Sequence, residues 1–379
     1  MKIGIITIQK CDNFGSDLQA FALQHKLQML GYEAENIDYL FYKNPRHIKT
    51  QMSRPIFHMN LKNRVKEFLY PKKQRLMQLL HPKEYSNRCA KFKQFVENNI
   101  VLSREYRTID DLFQAPPVYD AYMVGSDEVW NPRCNSSMLP FFLNFAPAGA
   151  KRLAYAASTG GHEMYDEATR DIFKKYLGKF DRISMRESAS CDYFAQLLGH
   201  SVEYVVDPTL LLTADEWDSV MTPMPIDKPY ILVYDLIMSS QHWTVARRLA
   251  AKHDLKIVRI CGSVGMKEIP DVIQYSEIGP SEFISLISHA SGVLTNSFHG
   301  IVFSILYQKP FYFIIPNHMT DSGRIGSLLH ALGLEKKMLW ERDAYQIKEL
   351  LPINYNEPLR KLSEMRRKSV AFLEQSLMF

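Results

Sequence analysis

The sequence predicts an α/β fold made of two domains, each containing a parallel sheet. Short apolar runs rich in β-branched residues alternate with stretches of helical periodicity, and this alternation is typical of βαβ units. A chain of 379 residues is too long for one small core, so two domains are expected. The alternation occurs on both sides of Thr213–Pro229, a polar stretch with three prolines that we interpret as a linker.

Six strands are predicted before the linker and four after it. They are Lys2–Thr7, Glu33–Tyr39, Ala121–Val124, Arg152–Ala157, Arg182–Met185, Glu203–Val206, Tyr230–Asp235, Lys256–Ile260, Gly292–Leu294 and Pro310–Ile315. A helix is predicted at Asp17–Leu30 because apolar residues recur on one face and Gly31 ends the pattern. A last helix, Leu359–Leu377, has no following strand, and we expect it to pack back against the first domain.

The composition is that of an ordinary soluble protein, 46% hydrophobic and 23% charged. The cysteines form no CxxC pair and lack metal-ligand spacing, which argues against a disulfide framework and a zinc site; they are Cys11, Cys89, Cys134, Cys191 and Cys261. Met1–Ile8 has the pattern of a strand rather than of a signal peptide, and Gln308–Pro310 interrupts the longest apolar region. We therefore expect a cytoplasmic protein without a metal or other cofactor.

Positive charge is concentrated between Lys43 and Lys93, where fourteen Lys and Arg residues stand against Glu67 and Glu84 only. Apolar residues are interleaved with the basic ones, which predicts amphipathic helices that face an anionic surface such as the inner face of the cell membrane. The alternative is a solvated helical insertion. Nucleic acid is a weaker candidate, because no recognition motif accompanies the charge.

The segment Val293–Gly300 carries the clearest functional signal. An apolar run ends in Asn296-Ser-Phe-His-Gly300 and a second apolar run follows at once, which predicts a strand, a tight turn and a helix with His299 in its first turn. In open α/β sheets, ligands bind at the carboxyl ends of strands, where helix N-termini offer free N–H groups. A histidine there can exchange protons near neutral pH. The alternative is a core histidine bonded to a backbone carbonyl.

Two further strand ends carry polar residues that suit a sugar. After the first strand, Asn13-Phe-Gly-Ser-Asp17 forms a candidate anion or sugar cradle, with a tight turn at Gly15 and a helix cap from Ser16 or Asp17. After the third strand comes Gly125-Ser-Asp-Glu-Val-Trp-Asn131. In this segment Asp127 could bind sugar hydroxyls or act as a base, and Trp130 could stack on a sugar ring. The alternative is a helix cap and a core tryptophan.

Two arginines are candidates for binding an anion. Arg186 ends a predicted strand and suits bidentate recognition of carboxylate or phosphate; the alternative is an internal salt bridge with Glu187 or one between domains. Arg324 and Ser327 lie at a predicted helix start, in an arrangement that suits an oxyanion. Asp207, after another strand, is expected to be structural.

Taken in order, these segments resemble the polysaccharide pyruvyl transferase family. The resemblance is carried by Met1-Lys-Ile-Gly-Ile5, Asn13–Leu23, Val124–Asn131, Ile183–Glu187, Val206–Leu211, Thr295–Gly300 and Lys309-Pro-Phe311. It spans roughly residues 1–334, and the ordered set is more specific than any one motif.

The resemblance implies a fold similar to that of B-type glycosyltransferases, with two Rossmann-like domains facing a cleft. The implied reaction transfers an enolpyruvyl-derived group from phosphoenolpyruvate to sugar hydroxyls and makes a pyruvate ketal on a cell-surface polysaccharide or its lipid-linked precursor. His299 is implied as the proton-transfer residue and Arg186 as a donor-binding arginine. We expect domains at 1–215 (acceptor side, with a basic helical insertion at 43–100), 216–355 (donor side) and 356–379 (C-terminal helix).

The chain departs from the family at Ser297. Characterised members often carry Arg-Leu-His-Gly where this chain has Ser297-Phe-His-Gly300. The arginine of that motif would hold the carboxylate or phosphate of the donor. Either Arg324 binds the carboxylate or phosphate of the donor instead, or the chain belongs to a branch of the family with altered chemistry.

The resulting hypothesis assigns each candidate residue a role. The catalytic residues are His299 and Asp127. The donor-binding residues are Arg186, Asn296, Ser297, Gly300, Arg324 and Ser327, and the acceptor-binding residues are Asn13, Gly15, Ser16, Ser126, Trp130 and Asn131. Two rival functions remain: a nucleotide-sugar-dependent glycosyltransferase on the same fold, and a non-catalytic sugar-binding or assembly protein.

Overall fold

The chain forms two compact units. A computed structural model describes residues 1–133, 137–161, 165–236, 239–317 and 323–378. The first unit contains residues 1–76, 96–212 and 365–379, and the second contains residues 77–95 and 213–364. The chain therefore passes from one unit to the other near the linker that we predicted, and also within the basic insertion.

The first unit is built on a six-stranded sheet in which every neighbouring pair of strands is parallel. The strands are β1 (Lys2–Ile6), β2 (Glu33–Asn36), β3 (Ala121–Val124), β4 (Lys151–Ala157), β5 (Arg182–Met185) and β6 (Val202–Tyr204), in the order β2-β1-β3-β4-β5-β6. Strand β3, inside the sheet, is buried along its whole length, as expected for a parallel sheet covered on both faces. Because all strands are parallel, their carboxyl ends lie along one edge of the sheet.

In the described residues up to Leu198, the structure has six α-helices. They are α1 (Phe14–Met29), α2 (Leu61–Leu80), α3 (Pro82–Asn99), α4 (Ile109–Gln114), α5 (Glu167–Leu177) and α6 (Ser188–Leu198). Helices α2 and α3 form the basic insertion. Most of α3 belongs to the second unit, where the buried Arg88 donates to the carbonyl oxygen of Ser276 at 3.1 Å.

The second unit has a sheet of the same kind. Its strands are β7 (Tyr230–Tyr234), β8 (Lys256–Ile260), β9 (Val272–Tyr275), β10 (Gly292–Thr295), β11 (Phe311–Ile315) and β12 (Met338–Trp340), all parallel, in the order β12-β11-β10-β7-β8-β9. Our ten predicted strands are all present. The sequence analysis did not identify β9 and β12, which are partly buried edge strands of only four and three residues.

The remaining helices are α7 (Ala214–Asp218), α8 (Ser240–His253), α9 (Pro280–Ser288), α10 (Phe298–Leu306), α11 (Gly323–Leu332) and α12 (Asn356–Leu377). The last part of α12 belongs to the first unit. There Arg366 donates to the carbonyl oxygens of Leu210 at 2.7 Å and Leu212 at 3.1 Å. The hydroxyl of Ser369 accepts the N–H of Val206 at 3.0 Å.

Both units follow the fold class that the sequence predicts, a Rossmann-like arrangement of a parallel sheet with helices. Among the described helices, none has the length and hydropathy needed to cross a membrane. Within the described ranges, no His, Cys, Asp and Glu side chains are grouped as metal ligands. Four cysteines there are free thiols, and Cys134 lies outside the described residues.

Candidate functional site

The turn between β10 and α10 holds His299 in a defined position. Ser297 is the N-cap of α10, and its hydroxyl accepts the N–H of Gly300 at 3.4 Å. A Cβ atom on Gly300 would lie 2.7 Å from the hydroxyl oxygen of Thr295, so only glycine allows this close approach. Thr295 in turn donates to the carbonyl oxygen of Tyr234 on β7 at 2.6 Å. The Asn-Ser-Phe-His-Gly sequence is thus a tight strand-to-helix turn, as predicted.

His299 is the second residue of α10, at the carboxyl end of β10. Strand β10 lies inside the sheet, between β11 and β7. The imidazole packs edge-on against Phe298, with ring centroids 5.2 Å apart, and the residue is 9% exposed. The first turn of a helix carries partial positive charge, which favours an anionic ligand beside this ring.

Asn296 is engaged within the protein rather than directed to a ligand. Its amide nitrogen donates to Asp235 at 2.5 Å, and its amide oxygen accepts the N–H of Leu236 at 2.8 Å. These bonds join the carboxyl end of β10 to that of β7. The structure therefore gives the Asn296 side chain an organising role, in contrast to our prediction that it contacts the donor.

Asp235 is the centre of a polar network that the sequence did not reveal. It also accepts the N–H of Ser239 at 2.7 Å, and Nδ1 of the fully buried His242 lies 3.5 Å from its carboxylate. Burial lowers the pKa of His242, although the nearby Asp235 opposes this effect. Ser239 donates to Glu341, which also accepts the N–H of Asn317 at 3.2 Å. The sequence indicated this network only through the polar residue that ends the predicted strand Tyr230–Asp235.

The predicted oxyanion residues lie on α11, near its start. Arg324 is in the first turn of this helix, and its side chain lies outside the described part of the chain. Ser327 follows one turn later and is half-buried.

In the first unit, the structure brings two predicted acceptor-side segments together. The hydroxyl of Ser16, in the first turn of α1, donates to Asp127 at 2.7 Å. Asp127 lies after β3, and its other carboxylate oxygen accepts the N–H of Glu128 at 2.8 Å. Its φ of 73° is in the left-handed region, an uncommon conformation for a residue with a side chain and one that is enriched at functional sites.

The turn before α1 differs from our prediction in two details. The helix cap is Asn13, whose side chain accepts the N–H of Ser16 at 3.2 Å, and neither Ser16 nor Asp17 caps it. Gly15 lies inside the helix, while the left-handed backbone falls on Lys10 and Asp12, with φ of 54° and 56°.

Arg186 is part of an internal ion-pair cluster. Its guanidinium lies 2.8 Å from the carboxylate of Asp207 and 3.6 Å from those of Asp127 and Glu187, and its side chain is 1% exposed. Burial alone would lower its pKa, but the three carboxylates raise it above the usual range. The same Asp207 oxygen accepts the hydroxyl of Ser126 at 3.1 Å. The geometry favours the internal salt bridge over direct donor binding.

Trp130 and Asn131 face into the first unit rather than toward a ligand. Trp130 is fully buried, donates to the carbonyl oxygen of Phe141 at 3.0 Å and stacks on Phe142, so the prediction that it stacks on a sugar is wrong. The Asn131 amide donates to Glu128 at 2.7 Å and accepts the N–H of Arg133 at 2.9 Å. Both residues hold the loop that presents Asp127.

A family model described as polysaccharide pyruvyl transferase matches residues 13–318, which is most of the chain. The chain belongs to the polysaccharide pyruvyl transferase family. The match includes Asn13 and helix α1, the Asp127 loop, Arg186 and the β10–α10 turn. No curated protein matches the chain over its sequence.

Solved structures support the fold. This family member is similar to Arabidopsis thaliana UGT89C1 complexed with UDP-L-rhamnose, with a TM-score of 0.50 and 12% identity, over 98% of this chain and 94% of that one. It is also similar to S. aureus MnaA in a structure with UDP, with a TM-score of 0.50 and 12% identity, over 97% and 96% of the two chains. At this identity the likeness concerns the two Rossmann-like domains and not the ligand.

Proposed function

We propose that this protein transfers a pyruvyl group from phosphoenolpyruvate to a sugar of a cell-surface polysaccharide or of its lipid-linked precursor, forming a pyruvate ketal. Membership of a transferase family supports the reaction class. The observation that carries the proposal is the position of His299, in the first turn of α10 at the carboxyl end of an inner strand. Ligands of open α/β sheets bind at this kind of position.

The reaction needs one proton to be delivered and two to be removed. Carbon 3 of phosphoenolpyruvate accepts a proton and becomes a methyl group, and two sugar hydroxyls form C–O bonds to carbon 2. The bond from carbon 2 to the phosphate oxygen breaks, so inorganic phosphate leaves. Of the two hydroxyl protons released, one balances the proton on carbon 3 and the other leaves with phosphate. In this proposal His299 is the residue that transfers a proton in the reaction, because an imidazole can gain and lose a proton near neutral pH.

The donor presents a carboxylate and a phosphate, and we assign them to the N-terminal turn of α10 and to Arg324 on α11. Backbone N–H groups at a helix start bind anions, and an arginine pairs with carboxylate or phosphate through parallel hydrogen bonds. Ser297 caps the helix at the position where the resemblance indicates that characterised family members often carry arginine, which is why Arg324 is given this role.

The acceptor sugar is assigned to the Asp127 cluster of the first unit. Asp127 is partly exposed, and a carboxylate accepts hydrogen bonds from sugar hydroxyls or removes their protons. Ser16 and Arg186 fix its orientation, one by a hydrogen bond and the other by charge. Arg186 thus acts on the acceptor side as a positioning residue.

The test is release of inorganic phosphate from phosphoenolpyruvate across a panel of hexosides and lipid-linked sugars. His299→Asn is expected to lower kcat about 10²–10⁴-fold, the usual contribution of general acid–base catalysis. His253→Asn, at an exposed histidine ending α8, is the matched control and should keep full activity.

Two results would contradict the proposal. Near-normal turnover of the His299→Asn variant would remove the role given to His299. Calorimetric binding of a nucleotide-sugar, with none of phosphoenolpyruvate, would instead support a glycosyltransferase on this fold.

A further inference from the structure

Helix α2 shows the reverse of the usual orientation of an amphipathic helix. The side chains on its protein-facing side are mostly polar and half-buried: Asn63, Glu67, Tyr70, Gln74 and Met77. The most exposed large apolar side chains of the helix lie elsewhere on its surface: Leu61, Val65, Phe68, Leu69, Leu76, Leu79 and Leu80, with exposed fractions between 45% and 77%. An ordinary surface helix buries its apolar stripe against the core.

The seven exposed apolar residues lie on one face of the helix, which also carries Lys72. At about 100° per residue they fall within an arc of about 120°, and the five half-buried residues fall on the opposite side. We call the exposed face the α2 stripe. The helix has 20 residues, so the stripe runs along a length of about 30 Å.

Polar contacts hold in this orientation the part of α2 that belongs to the first unit, residues 61–76. Glu67 forms an ion pair with Lys49 at 2.6 Å, and the ring of Tyr70 packs edge-on against Tyr42 with centroids 6.4 Å apart. Gln74 donates to the hydroxyl of Tyr70 at 3.0 Å. Because these contacts are made by the polar side, the apolar stripe remains directed outward.

The charge of α2 indicates what covers the stripe. The helix contains six basic residues and one acidic residue; the basic ones are Lys62, Arg64, Lys66, Lys72, Lys73 and Arg75. Lys72 lies over the ring of Phe68, with its nitrogen 4.1 Å from the ring centroid, so charge and apolar surface are adjacent. If a second copy of the chain covered the stripe, two strongly basic helices would face each other, and the repulsion between their charges is unfavourable.

We infer that the α2 stripe docks on an anionic membrane surface, with the helix axis parallel to the plane of the bilayer. Apolar side chains on one face flanked by Lys and Arg are the pattern of helices that lie in the interface, where the apolar face enters the acyl boundary and the basic residues pair with lipid headgroups. The length of the stripe suits a planar surface. This inference does not depend on the proposed chemistry.

The test is co-sedimentation of the full-length protein with vesicles of phosphatidylcholine alone or mixed with phosphatidylglycerol. The wild-type protein should bind the mixed vesicles, and salt should weaken this binding because it screens the charges. The double variant Lys72→Gln/Lys73→Gln should bind about twenty-five-fold more weakly, at about fivefold per lysine. Its control is Lys174→Gln/Lys175→Gln, at exposed lysines of α5.

The apolar contribution is tested with Phe68→Ser/Leu79→Ser, which should weaken binding at least about tenfold. The control, Val101→Ser/Val118→Ser, removes exposed apolar residues outside α2 and should bind like the wild type. All four variants change exposed side chains, so thermal unfolding and phosphate release with a soluble acceptor should remain normal.

Three outcomes would overturn the inference. The first is normal vesicle binding by Phe68→Ser/Leu79→Ser. The second is equal binding of the wild type to both kinds of vesicle. The third is a dimer in solution that this apolar variant dissociates, which would show that a second copy covers the stripe. Loss of vesicle binding with intact phosphate release separates this inference from the proposed reaction.

Discussion

Asp17 lies in the first turn of α1 with its carboxyl group fully buried. One oxygen accepts the N–H of Lys10 at 2.7 Å, and the other has no hydrogen-bond partner among the described residues. Burial raises the pKa of Asp17 to about 7, and the nearby Asp12 contributes in the same direction. A charged group that is removed from water without full compensation takes up a proton instead.

We predict that Asp17 makes the protein less stable as pH rises. The folded state binds a proton at Asp17 up to about pH 7, whereas the unfolded state releases it near pH 4, so stability is lost across this interval and then levels off. Asp17→Asn keeps the acceptor for Lys10 and removes the titration. Its advantage over wild type should grow from pH 4 to pH 7 and reach at most about 4 kcal/mol.

Urea unfolding at several pH values measures this difference. The control is Asp171→Asn, at an exposed carboxylate on α5, which should leave the pH dependence as in the wild type. A constant difference between Asp17→Asn and wild type from pH 4 to pH 8 would contradict the assigned pKa.

At the scale of elements, the positions of two candidate residues depend on the residues that cap the N-termini of their helices. Asn13 caps α1, and Ser297 caps α10. The first cap fixes the turn that carries Ser16, and the second fixes the turn that carries His299. Short polar side chains are preferred at these positions because they accept N–H groups that the helix itself leaves unpaired.

We predict that Asn13→Ala destabilises the protein by about 1 kcal/mol, because the N–H of Ser16 loses its acceptor. Asn13→Asp keeps an acceptor oxygen and should restore most of the loss. Chemical unfolding of the two variants gives the comparison. Equal stability of Asn13→Ala and Asn13→Asp would show that the cap does not hold α1.

At the scale of the whole molecule, the end of the chain completes the unit in which the chain begins. Phe372, Leu373 and Leu377 of α12 are buried in the first unit. Arg366 and Ser369 satisfy backbone groups of the segment after β6. The first unit therefore depends on residues that follow the entire second unit in sequence.

We predict that a chain ending at Glu364 does not form a stable first unit. Removal of three buried side chains costs about 5–9 kcal/mol, which is comparable to the total stability of a domain. Limited proteolysis should cleave the truncated chain rapidly between residues 96 and 212. Met378→Ala, at an exposed position, should resist proteolysis as the wild type does. A protease-resistant truncated chain would contradict this dependence.

The sequence by itself determined the fold class, ten of the twelve strands in the described part of the chain, and the place of His299. These features depend on local periodicity and on a glycine that a tight turn requires, so they can be inferred from neighbouring residues. The two missed strands lie at sheet edges and are only four and three residues long, which is too short for a periodic pattern to be recognised.

Only the tertiary structure decided which of the candidate polar residues hold the protein together. Asn296 is bound to Asp235, Arg186 is paired with Asp207, and Trp130 lies in the core. It also showed that the polar side of α2 faces the protein. Each outcome depends on contacts between residues far apart in sequence, and no local pattern encodes them. The local sequence of a strand end or a helix face is the same whether its polar groups bind a substrate or bond to other residues of the protein.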